Sequence, residues 1–327
     1  MLSLSLLPFL LLFGNINCLL SIIVFLQKSM RKNPIGLYFL SSTICNMIFI
    51  NTMITGTILY FGFHIDPTGN ILILCQIQFY IAFVTSILSS SFLVLASIYR
   101  FIISSSYYSM HRFSSHSMAI KFVLSVTTFW CIIHIHLFIF VIKSNEANSV
   151  FYCVFQAGTY ELLIILYEFI INDVLTPALI ILFSLQTILN VRHVMVNPIS
   201  RLHSIDRQLV NIMLSQCFTF VSFRLPFLIY LIFDHIIKAS VEKLSYGKIN
   251  IVLFYLSLLC IYIPYCSFFF VNLISYSFRA EFIRLTKRFI HRSLRQIRKR
   301  KRHRHNQVFP LDIMQRRAPN RNSFAIE

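Results

Sequence analysis

Seven uninterrupted apolar stretches constrain this chain more than any other feature. They run at about Leu2–Leu26, Pro34–Phe63, Ile73–Ile103, Met118–Ile142, Leu162–Leu189, Leu209–Phe233 and Ile249–Tyr276. Each reaches the roughly 20 residues a helix needs to cross a hydrocarbon core of ~30 Å. Within a bilayer the backbone N–H and C=O groups must be satisfied inside the segment, so such runs are expected to be helices. The first run has no basic residue ahead of it and outlasts the h-region of a signal peptide, so it reads as a retained span. The expected fold is therefore an all-α membrane protein, a seven-transmembrane helix bundle, over residues 1–277.

Composition narrows the function. The chain is 57% hydrophobic and only 12% charged, with a mean hydropathy of +0.73, outside the soluble balance. Its net charge of +18 would suit nucleic acid, but 15 of the 29 Lys and Arg lie after Phe278. Without them the body is nearly free of charge, so no nucleic-acid partner is expected. The eight cysteines form no CxxC pair, and no His/Cys group has zinc spacing, so neither metal nor cofactor is expected. The loops are too short for a soluble catalytic domain, and no GxSxG motif or pair of catalytic acids appears. An enzyme is not expected.

Loop charge sets an orientation. With the N-terminus extracellular, Lys28, Arg31, Lys32, Arg100, Arg112, Lys121, Arg192, Arg201, Arg207 and the 15 tail charges face the cytoplasm. Only Lys143, Lys238, Lys243 and Lys248 face outward, and Arg224 lies within the sixth segment. A multi-pass plasma-membrane protein with a cytoplasmic C-terminus follows. Residues 278–291 place Phe278, Phe282, Ile283, Phe289 and Ile290 at helical spacing among arginines and lysines. They predict a short amphipathic eighth helix at the interface. Residues 292–327 read as a disordered basic tail. Its natural partner is anionic membrane lipid, at ~1 kcal/mol per basic residue near the surface.

A series of landmarks then falls at family spacing. Gly14-Asn15 stands in the first segment and Asn46 twelve residues after Pro34. Cys75 and Arg100 bound the third, in the context Tyr99-Arg100-Phe101. Trp130, the one tryptophan, lies in the fourth, and Cys153 in the loop after it. Pro177 and Pro226 mark the fifth and sixth, and Asn272-Leu273-Ile274-Ser275-Tyr276 closes the seventh. Together, over about Asn15 to Phe282, these make the chain resemble a divergent rhodopsin-like G protein-coupled receptor. Asn46 stands where that family usually has aspartate, Tyr99 where it has an acid, and Leu273 where it has proline.

The resemblance implies a function and a set of roles. It implies a receptor that binds an extracellular ligand and activates a heterotrimeric G protein. It implies a disulfide between Cys75 and Cys153, the two cysteines that the topology places outside, in an oxidising compartment. It makes Arg100, Tyr99, Asp206, Asn272 and Tyr276 the activation switch. Asp206 is a candidate counter-ion for Arg100, and it equally reads as a loop residue that caps or faces solvent. Asn15, Asn46 and Ser89 correspond to the family's central polar cluster. Ala82 replaces the carboxylate that aminergic receptors need, and Cys266 the lysine that opsins need. A peptide or small-molecule ligand is therefore expected rather than a monoamine or retinal.

Ionisable groups inside a membrane are functional candidates by default. Glu168 and Asp173 lie in the fifth segment and Arg224 at comparable depth in the sixth. With Asn172 they form the ligand-pocket candidates, and an ion pair that only fixes packing is the competing reading. His134 and His136, at i and i+2, are expected on different helix faces. A transporter or channel is the alternative function, although no internal repeat supports it.

Overall fold

The computed structural model describes residues 2–63, 71–105, 115–143, 153–156, 158–193, 200–239 and 247–308. The described residues are nearly all helical. Its first three long helices are α1 (Leu2–Phe25), α2 (Pro34–Phe63) and α3 (Leu72–Ser104), with a single helical turn at Lys28–Arg31 between α1 and α2. The fourth, α4, runs from His116–Ile133 through a 3₁₀ turn at His134–His136 to Leu137–Phe140. The fifth, α5, comprises Thr159–Glu168, a π-helical turn at Phe169–Leu175, and Thr176–His193. Then follow α6 (Ser200–Ala239), α7 (Gly247–Asn272) and α8 (Tyr276–Val308). Seven of these helices are long and apolar enough to cross a membrane, as a multi-pass membrane protein requires.

Neighbours in the bundle follow the chain. α1 packs on α2 and α7, α2 on α3, α5 on α6, and α6 on α7. α3 touches α2, α4, α5 and α6, and α2 also touches α4 and α7. α3 is the most buried: 67% of its most apolar stretch is covered, against 11% for α4. Such a stretch can lie in the interior because its polar residues are small hydroxyls, at Thr85, Ser86, Ser89, Ser90 and Ser97, all buried. Thr85 and Ser97 return their hydroxyls to carbonyls three or four residues back, so little of their polarity is left to the apolar surroundings.

Two short strands follow α4. β1 (Val141–Lys143) pairs antiparallel with β2 (Cys153–Phe155), with Lys143 opposite Cys153. The hairpin seats on the Cys75 end of α3. Cys75, Leu137, Val141 and Ile164 form one buried apolar cluster. Gln76 Nε2 donates to the carbonyls of Phe138 (2.9 Å) and Val141 (3.2 Å).

The chain divides into two compact units, Met1–Arg279 and Ala280–Glu327. α7 ends at Asn272, and Ser275 starts α8 by accepting the backbone N–H of Phe278 at 3.4 Å. α8 runs to Val308, past residue 291 where the sequence ends the amphipathic segment. The extension is rich in Arg, with Lys and Gln, which favour helix, and Pro310 is the first breaker after it. Ile283, Phe289, Ile290, Leu294 and Ile297 are exposed along it. Residues 309–327 of the expected tail lie outside the described residues.

Candidate functional site

A dense set of polar contacts gathers at Arg224. This arginine is 7% exposed and lies two residues before Pro226 on α6. Its Nη2 donates to Glu168 Oε2 at 2.8 Å, and its Nε lies 3.0 Å from Asp173 Oδ1. Its Nη1 donates to Ser86 Oγ (3.0 Å) and Tyr265 Oη (3.1 Å), which are 2.8 Å from each other. The guanidinium carbon sits 5.1 Å from the centre of the Phe220 ring, a cation–π distance. One side chain thus joins α6 to α3, α5 and α7.

A second row of bonds supports the first. Asn172 Nδ2 donates to Glu168 Oε2 at 2.7 Å, and Ser90 Oγ donates to Asn172 Oδ1 at 2.8 Å. All four sequence candidates, Glu168, Asn172, Asp173 and Arg224, therefore meet in one network. Two carboxylates face one guanidinium, and Glu168 Oε1 is buried without a hydrogen-bond partner among the described residues. A buried charge cluster of this kind is costly unless each charge stays paired.

Below the network lies a small cavity. Asn46, Ser89, Gln216, Thr219, Phe220 and Tyr265 are among its lining residues. It has room for about one water molecule. Ser89 Oγ donates to Asn46 Oδ1 at 2.5 Å and lies 2.9 Å from Ser42 Oγ. Gln216 Nε2 donates to Asn272 Oδ1 at 3.3 Å. Gln216 Oε1 and Asn272 Nδ2 are buried without partners among the described residues, so the lining can hold a water but offers no carboxylate for a cation.

Asn15 does not join that cluster. Its amide exchanges hydrogen bonds with Asn51 at 3.2 and 2.8 Å, on the half-exposed side of α1 and α2, and also donates to the Leu11 carbonyl. The buried asparagine of α1 is Asn17, 3% exposed, which donates to the Cys266 carbonyl at 3.0 Å and so fastens α1 to α7. The two lie two residues apart, about 200° around the helix, and only one of them can face inward.

The remaining candidates are spread along the bundle. Arg100 and Tyr99 are both buried at the other end of α3, 5% and 7% exposed, and Tyr99 meets Tyr38 edge to face at 6.2 Å. Asp206 lies within α6, which begins at Ser200 rather than near Leu209; its side chain lies outside the described residues. Asn272 is 1% exposed and Tyr276, 64% exposed, opens α8 instead of closing α7. Cys75 is 1% exposed, and the side chain of Cys153 lies outside the described residues. His134 is fully buried, with its ring nitrogens near the Trp130 carbonyl (2.9 Å) and Tyr167 Oη (3.4 Å). His136 bonds the Ile133 carbonyl, and its ring stacks on that of His134 at 6.0 Å and 28°, so the two are not separated onto different faces as their i, i+2 spacing predicts.

Three network members, Ser86, Ser90 and Tyr265, are absent from the sequence candidates. Their signal is faint: hydroxyls in apolar helices are common and mostly bond their own backbone. Set against known protein families and curated proteins, this sequence matches none.

Proposed function

We propose that this chain is a rhodopsin-like G protein-coupled receptor, which binds an extracellular ligand and activates a heterotrimeric G protein. The observation that carries the reading is the place of α3. It is the most buried helix, packed against four others, with Cys75 at one end beneath the hairpin and Arg100 buried at the other. In this reading the ligand binds toward the Cys75 end, a peptide or small molecule rather than a monoamine or retinal. Ala82 and Cys266 both sit in an apolar cluster, and neither offers a carboxylate or an amine. The G protein meets the Arg100 end when α6 swings outward.

The further parts of the proposal follow from that orientation. The protein sits in the plasma membrane with its N-terminus outside, and α8 with its basic tail faces anionic lipid. A Cys75–Cys153 disulfide pins the hairpin. Its support is that Cys153 stands on the strand paired to β1, which packs on Cys75, while Cys75 is not among the free thiols Cys18, Cys45, Cys131, Cys217, Cys260 and Cys266. Arg100 with Tyr99, Asp206, Asn272 and Tyr276 forms the activation switch.

A ligand screen on cells carrying a promiscuous G protein tests the reading. An agonist found there is expected to drive nucleotide exchange, and Arg100→Ala is expected to abolish that response while ligand binding persists. The buried Glu168–Arg224–Asp173 cluster also suits a transporter. Substrate flux in liposomes, with no exchange on any G protein, would favour that second reading.

A further inference from the structure

Glu168 and Asp173 are five residues apart. In an α-helix, five residues turn the chain by roughly 140° beyond a full circle, so the two carboxylates would point to different faces. Both nevertheless lie within 3.0 Å of Arg224. The stretch between them is the π-helical turn, Phe169–Leu175. Its i→i+5 bonding sets residues five apart nearly one above the other. Thr176 marks the same register, its Oγ1 donating to the carbonyl of Ile171 five residues back at 2.9 Å. The apolar residues that the turn sends outward, Ile170 and Val174, are 53% and 47% exposed.

We propose that this π-helical turn is a register device that gives Arg224 its second carboxylate. In the π register α5 holds α6 through both Glu168 and Asp173. Winding the turn to α-helical register carries Asp173 away and leaves Glu168 alone on the arginine, so the grip of α5 on α6 weakens just before Pro226. A ligand that favours one register sets the grip, because any coupling needs differential affinity for the two states. This last step rests on the receptor reading; the register device itself does not.

Two single-residue deletions separate the register from generic damage. Each removes an exposed apolar residue and the extra residue that makes the turn π-helical. Deleting Ile170 brings Glu168 and Asp173 to i, i+4, one face of an α-helix. Deleting Val174 leaves them at i, i+5, now on different faces. In purified full-length protein, Asp173→Asn is expected to lower the melting temperature of the wild type and of the Ile170 deletion. It is expected to leave the Val174 deletion unmoved. Adding Asn172→Asp and Asp173→Asn to the Val174 deletion places a carboxylate at i, i+4 again and is expected to raise its melting temperature.

Folded yield reads the same order if a variant is too unstable to melt. The Ile170 deletion and the rescued Val174 deletion should then exceed the plain Val174 deletion. An equal Asp173→Asn effect in all three backgrounds, a Val174 deletion more stable than the Ile170 deletion, or collapse of both deletions alike would overturn the proposal. Basal nucleotide exchange on a G protein, raised in the Val174 deletion only, tests the receptor reading separately. A flat exchange signal with the melting order intact sinks that reading and leaves the register device standing.

Discussion

At the scale of single residues, Arg224 governs the interior. It is a buried cation whose neighbours include two carboxylates, two hydroxyls and a ring face. Removing it leaves two buried charges facing each other. Arg224→Met is expected to cost about 3–5 kcal/mol, the usual loss when one partner of a buried pair is deleted. The triple variant Arg224→Met, Glu168→Gln, Asp173→Asn should recover much of that loss, since no uncompensated charge remains. Thermal unfolding in detergent compares the two. Arg224→Lys should not rescue, because an ammonium cannot span Glu168, Asp173, Ser86 and Tyr265 with a fixed fork.

At the scale of elements, close approach decides how α1 lies on α7. A Cβ at Gly14 would stand 2.8 Å from Cys266 Sγ and 3.1 Å from Ile50 Cδ1. Glycine is required there by contact, which is how small residues let membrane helices pack. Gly14→Val is expected to lower stability by roughly 1–3 kcal/mol through overpacking. Cys266→Ala on top of it should restore part of that, because it removes the nearest obstructing atom. A melting series of the two single variants and the double variant reads the coupling, and strict additivity would show that the contact does not matter. The same crowding explains how Asn17 on α1 reaches the Cys266 carbonyl.

At the scale of the whole molecule, the seven-helix order and the central α3 make a frame that a hairpin closes at one end. Cys75→Ser and Cys153→Ser are each expected to abolish surface expression, read by labelling of intact cells. Normal surface levels for both would remove the disulfide from the proposed function. The double variant should be no worse than either single one, because in the proposed pairing both remove the same bond.

The spans and the membrane class were legible in the residues. Runs of more than twenty apolar positions admit one solution in a bilayer, and the helices found match those runs to within a few residues, except that α6 runs from Ser200 to Ala239, beyond the expected span at both ends. The four polar candidates on α5 and α6 were legible too, since Glu168, Asn172, Asp173 and Arg224 stand out against an apolar background. What only the tertiary structure decided is which face of each helix turns inward. A helix that is apolar all round carries no stripe to fix its rotation, so nothing in the chain favoured Asn17 over Asn15, or singled out Tyr265 and Ser86 as partners of Arg224. The π-helical turn is hidden for the same reason. By α-helical periodicity Glu168 and Asp173 diverge, and only the folded chain brings both carboxylates to Arg224.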